Sequence, residues 1–202
     1  MRTHTFWRKA AAFVLAISIA VCGLEISPAE AAFGQTGIEN ELPNRANLVL
    51  NCLKHRDFEQ LALLTHKDKG VVFSPYAFVE KGAVKLTAAR LKALKFADEF
   101  TWGVFDGSGE PMNLSVEDYF NRFVYDHDFA QAPLIGVDEL IKTGNTISNL
   151  DEAFPGARFV EHNFPGFDPE FEGMDWASLR LVFEKVGEEW MLVGVVHDCW
   201  TI

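Results

Sequence analysis

The side chains able to do chemistry gather near the end of the 202-residue chain. His197 and Asp198 are neighbours in a run of strand-forming residues. Consecutive strand residues point to opposite faces, so these two cannot form a dyad with each other. His197 is the candidate catalytic residue, because an imidazole in a cleft can move a proton near neutral pH. The plainer reading is a histidine hydrogen-bonded into a sheet rim. Arg180 stands among Leu179, Leu181 and Val182, where a cation needs an anionic partner. Glu184, on the same strand face, offers an ion pair, and a ligand carboxylate is the functional alternative.

Other clusters carry less. Tyr125-Asp126-His127-Asp128 has metal-ligand residue types, but they are consecutive and lack a second pair, so a solvated helix end is expected. The segment from Phe164 to Trp176 interleaves aromatics with carboxylates. It could form a calcium loop or an aromatic lip for a sugar or peptide, but it lacks EF-hand spacing. Aromatics packed on the sheet with carboxylates in water is the preferred reading. Asp106 to Pro111 is a turn without the lysine of a phosphate loop. Neither a Gly-x-Ser-x-Gly elbow nor a His-Glu-x-x-His helix occurs. No metal site and no cofactor is expected.

These residues need a scaffold, and the hydrophobic pattern supplies one. Pro43 suits a first helical turn, with Leu48, Val49, Cys52 and Leu53 on one face. Asp57 and Gln60 open a second helix, Thr87 and Ser115 cap two more, and Val71–Phe73 and Glu99–Phe105 read as strands. Residues 126–157 read as short pieces and turns. Arg158–His162, Ser178–Lys185 and Trp190–Thr201 are the closing strands. With Val186 opposite Glu189, Phe183 faces Leu192, Leu181 faces Gly194 and Arg180 faces Val195. That register puts Arg180 and His197 on one face.

The first 31 residues read as an export signal. Arg2, Arg8 and Lys9 precede an uncharged apolar run, Ala10–Leu24, and small residues around Ala29 and Ala31 fit a cleavage site. The run is about 15 residues, short of the ~20 that span a bilayer. Ile19-Ala20-Val21-Cys22-Gly23 resembles a bacterial lipobox, though Val21 departs from its pattern, so lipidation at Cys22 is a minor alternative. A flexible leader over 32–42 and one domain over 43–202 follow. Export places Cys52 and Cys199 where a disulfide can persist, and two buried free thiols are the alternative. Net charge is −11 overall, and the 171 residues after the signal carry 15 basic and 27 acidic side chains, net −12. That balance argues against nucleic acid and anionic membrane as partners.

Helices followed by long antiparallel strands resemble the nuclear-transport-factor-two-like cone, a cystatin-like fold. The segments carrying this are Asn51–Gly70, Leu179–Phe183 and Trp190–Val196. Phe73-Ser74-Pro75-Tyr76, Thr101-Trp102-Gly103, Phe164–Asp168 and His197–Ile202 resemble uncharacterised exported bacterial proteins. The resemblance implies an α+β fold, with N-terminal helices packed on a curled antiparallel sheet enclosing a pocket. Tyr76, Trp102, Arg180 and His197 are the candidate ligand-binding residues. The expected function is an exported, periplasmic or extracellular module binding a small molecule, glycan or envelope protein. An acid–base enzyme using His197 and an envelope scaffold are the alternatives.

Overall fold

The computed structural model describes residues 41–201. The export signal, the Cys22 lipobox and most of the leader lie outside the described residues. Helix α1 (Glu41–His55) starts just inside the expected leader, and Pro43 falls in its first turn. Glu41 at its start and Lys54 and His55 at its end complement the helix dipole. Leu42, Ala46, Val49, Leu50 and Leu53 make its buried stripe. Leu48, expected on that stripe, faces solvent.

Capping residues set the other helices where the sequence placed them. The Asp57 carboxylate accepts the Gln60 N–H at 2.9 Å and opens α2 (Phe58–Leu64). Thr87 does the same for α3 (Ala88–Lys92), and Ser115 for α4 (Val116–Phe123). Helix α5 (Leu150–Ala153) is a single turn.

The strands are β1 (Val71–Ser74), β2 (Lys85–Leu86), β3 (Glu99–Val104), β4 (Pro111–Ser115), β5 (Leu134–Val137), β6 (Arg158–Phe164), β7 (Ala177–Val186) and β8 (Glu189–Cys199). Strands β3 and β4 form a separate hairpin, and the rest form one sheet in the order β2-β1-β8-β7-β6-β5. The sheet is mixed, which corrects the expected antiparallel sheet. Strand β1 runs parallel to β8, with Phe73 opposite Val195, because the chain returns to β8 only after crossing the whole fold.

One irregularity decides where the chemistry points. The β7–β8 hairpin begins as expected, with Val186 opposite Glu189 and Phe183 opposite Leu192. A bulge then gives β8 an extra residue, so Val182 pairs with Gly194, Leu181 with Val195 and Arg180 with Val196. Beyond it every side chain of β8 is shifted by one place. The expected pairs Leu181–Gly194 and Arg180–Val195 are thereby corrected, and Arg180 and His197 face opposite sides. Gly194 is required there, since a Cβ would stand 2.6 Å from the Phe154 ring.

Each face of the sheet is covered. On one, Leu179, Leu181, Phe183, Leu192 and Val195 pack under α1, α2, α4 and the β3–β4 hairpin. Aromatic rings fill this side, with Trp102 stacked on Tyr119 at 3.7 Å between centroids and Phe73, Phe120, Phe123 and Phe129 around them. On the other, Val182, Val193 and Val196 pack against Val79, Leu150 and Phe154. Among the described residues no helix is long and apolar enough to cross a membrane.

Candidate functional site

At the end of β8 the helix-side core stops short of the surface and leaves a cleft of about 600 Å³. His197 and Cys199, two apart on one face of β8, form part of its wall. Tyr76 reaches in from the segment after β1, Asp106 from the β3–β4 turn, Arg122 from α4, and Asp126 and His127 from the turn after α4.

The His197 side chain is only 3% exposed. Its Nε2 lies 3.4 Å from Asp126 Oδ2, and that same oxygen lies 2.7 Å from His127 Nδ1. Helix α4 ends at Phe123 and the next residues turn across the end of β8, which brings Asp126 to the histidine from 71 positions away. Burial acts to discharge the His197 ring. The Asp126 carboxylate and the adjacent Cys199 outweigh it and push the imidazole up to about 10. Burial likewise acts to raise Asp126, but its hydrogen bonds and charge contacts with His197 and His127 hold it below the ordinary carboxylate range. Among the described residues three buried polar atoms of the cleft lining make no hydrogen bond, His197 Nδ1, Asp126 Oδ1 and Asp175 Oδ1. Cys199 is near enough to favour the charged imidazole, yet no hydrogen bond of good geometry joins it to Nδ1.

His162 is the contrasting histidine. It pairs with Leu179, which pairs with His197, so the three side chains form one row across the sheet. Among the described residues neither His162 nitrogen makes a hydrogen bond of good geometry, and burial outweighs the nearby Phe129 backbone and pushes the ring down to about 4.

Arg180 lies on the opposite face and is buried completely. Its Nε donates to Glu161 Oε2 at 3.0 Å and its Nη2 to the Lys142 carbonyl at 2.9 Å. Nη2 also lies 2.8 Å from Asp198 Oδ2. Glu161 accepts the Ser178 hydroxyl at 2.6 Å and the Ile141 N–H at 3.2 Å. Burial raises Asp198, against the attraction of Arg180. This is a buried ionic cluster in which Arg180 Nη1 and Asp198 Oδ2 make no hydrogen bond among the described residues, and Arg180 does not line the cleft. Its expected partner Glu184 pairs instead with Lys69.

The remaining candidates divide. Tyr76 lines the cleft, and its hydroxyl accepts the Asp106 N–H at 3.2 Å. Trp102 belongs to the core, its indole N–H donating to the Leu114 carbonyl at 3.0 Å. Its edge reaches a smaller groove of about 310 Å³ beside Phe78. Of the two readings left open for Cys52 and Cys199, a disulfide or free thiols, the structure has the free thiols. Cys52 is a free thiol on the buried side of α1 and Cys199 a free, half-buried thiol at the cleft. In the Phe164–Trp176 loop, Asp175 accepts the backbone N–H groups of Phe167 and Asp168, at 3.0 and 2.6 Å, and holds the loop shut. Among the described residues no group of three or more His, Cys, Asp or Glu side chains is placed to hold a metal.

Asp126 entered the sequence reading only within Tyr125–Asp128, as a solvated helix end. The structure half-buries it against His197 instead, and nothing in the spacing linked the two. No family model matches the chain, and no curated protein matches it. Among solved structures it is similar to one assigned as a calcium/calmodulin dependent protein kinase II association domain, from Xanthomonas campestris. The two share 11% identity over 92% of this chain and 97% of that one, with a TM-score of 0.29, a likeness too loose to carry an argument.

Proposed function

We propose that this chain is an exported binding module of the cell envelope, cleaved near Ala31, that takes a small polar ligand in the His197 cleft. The fold in this reading is the nuclear-transport-factor-two-like cone in modified form. Aromatic rings fill the space under the sheet, and the ligand sits at the open end instead. The observation that carries the reading is the buried His197–Asp126 pair, which lines a cleft while His197 Nδ1 and Asp126 Oδ1 lack protein partners. Buried polar atoms are ordinarily satisfied, so a bound group completing these bonds is the economical explanation. A charged imidazole and the Arg122 guanidinium favour a ligand with acceptor oxygens, such as a carboxylate or a sugar, and Tyr76 and Trp200 give it aromatic walls.

Isothermal titration against small carboxylic acids and mono- and disaccharides tests this. A binder should lose roughly tenfold or more in affinity on His197→Ala, the cost of a charge-assisted hydrogen bond. Binding that survives His197→Ala unchanged removes the cleft from consideration. A second reading, acid–base catalysis, draws on the same pair, since a charged His197 held by Asp126 is arranged as a proton donor.

A further inference from the structure

Cys199 shares the cleft with His197 and has no structural task there. It is half-buried, unpaired with Cys52, and ends the strand whose preceding inward residue is His197. Side chains two apart on a strand face stand side by side. The imidazole is held from its far side by the Asp126 carboxylate on Nε2, while its buried Nδ1 is unpartnered. Thiol, imidazole and carboxylate thus follow one another in the order in which a nucleophile, its proton partner and an orienting group are used. Arg122 also lines the cleft, its guanidinium over the Phe105 and Phe123 rings.

We propose that Cys199 and His197 form a nucleophilic thiolate–imidazolium pair, oriented by Asp126, that accepts the acyl group of a small ester or thioester bound in the cleft. The proton passes from the thiol to Nδ1. The thiolate adds to the carbonyl carbon, forming a C–S bond and an oxyanion within the field of Arg122. Collapse of that oxyanion breaks the bond to the leaving oxygen or sulfur, which departs with the proton from His197. Water then releases the acyl group by the reverse route, and no oxidant or reductant is consumed. The elevated imidazole agrees with this, since a ring kept protonated stabilises an adjacent thiolate. The other charged or titratable groups facing the pair are Tyr76, Asp106, Arg122, His127 and Asp175, from five separate segments. Cys52 is the internal contrast, because burial and Asp57 push its thiol up.

The inference rests on the cleft being a ligand site, but its test does not. Iodoacetamide needs only an accessible thiol, so either reading can fail alone. The full chain is alkylated between about pH 5 and 10, and each cysteine is followed by peptide mass spectrometry. Cys199 should react at least ~30-fold faster than Cys52 near pH 6. His197→Gln should slow Cys199 about tenfold or more at that pH, and Asp126→Asn should act in the same direction. A Cys199 rate at pH 6 untouched by His197→Gln overturns the pair. With p-nitrophenyl acetate, acetyl should appear on Cys199 with about one equivalent of nitrophenolate, and Cys199→Ser should abolish both. Alkylation that is fast without any acetyl-Cys199 overturns the acyl-transfer step. Cys199→Ser changes a single atom, so it keeps that arm readable should His197→Gln fail to fold.

Discussion

Beyond the bulge, β8 presents a buried ionic cluster on each face, and the two are built on opposite principles. On one face Arg180 lies among Glu161, Asp198, Ser178 and the Lys142 carbonyl, sealed under the 138–149 segment. On the other, His197 has one carboxylate, a neighbouring thiol and an unpartnered nitrogen at the wall of an open cleft. Similar groups are present on both. Each face leaves atoms without hydrogen-bond partners among the described residues, Arg180 Nη1 and Asp198 Oδ2 on one and His197 Nδ1 and Asp126 Oδ1 on the other, but only the second pair stands beside accessible volume. Buried charge alone therefore does not mark a site. Buried charge with bonds left over, beside accessible volume, does.

Removing the centre of the closed face should have the largest effect. Arg180→Met strands Glu161 and Asp198 without a cation, and a loss of about 3–5 kcal/mol is expected from breaking one side of a buried ion pair. Urea denaturation reads it. A loss under ~1 kcal/mol would show that the cluster is not the structural anchor its geometry describes.

Breaking the open face should cost less and leave a pH signature. Asp126→Asn removes the group that keeps His197 charged, at roughly 2–3 kcal/mol near pH 7. In the wild type, His197 is raised from 6.5 to about 10. A raised histidine contributes stability that is complete below its unfolded value and is lost as pH rises through its folded value. Wild-type stability should therefore fall between about pH 6.5 and 10, and the Asp126→Asn curve should be flatter across that window. NMR titration of the ring gives the same answer directly. With the Asp126 charge removed and Cys199 still beside it, His197 in the variant should titrate below its wild-type value.

The smallest effect sharpens the comparison from within the open face. His162, one rung away across Leu179, shares the burial of His197 but has no carboxylate. Its ring is lowered from 6.5 to about 4, so the unfolded chain binds the proton better. Stability should be lost as pH falls from about 6.5 to 4, the opposite sign to His197. His162→Leu should shift stability by no more than ~1 kcal/mol at pH 7, because its one polar contact, with the Phe129 backbone, is weak, and should remove part of the acid limb. An unchanged acid limb would mean that His162 is not buried neutral in solution.

Local features were legible where their physics is local. Asp57, Thr87 and Ser115 cap their helices as their spacing indicated, since a cap joins residues three apart. The closing hairpin was readable from its turn outward as far as Phe183 and Leu192. The bulge was not, because an extra residue in one strand leaves composition and alternation almost unchanged. The error then propagated, and a single step of register moved Arg180 and His197 to opposite faces. Asp126 escaped for a related reason. Nothing in a sequence announces that a helix end will stop against a strand 71 residues away.

From its own residues the sequence determined the acidic character of the chain, the α+β composition and the helix starts, and it singled out His197 as a candidate. All of these depend on residue type or on spacing within one element. Tertiary structure alone decided that the sheet is mixed, that Trp102 and Arg180 belong to the interior, that Cys52 and Cys199 stay free thiols, and that Asp126 meets His197. Each of these joins residues distant in the chain, and its sign turns on one strand's register, which only the packed core can set.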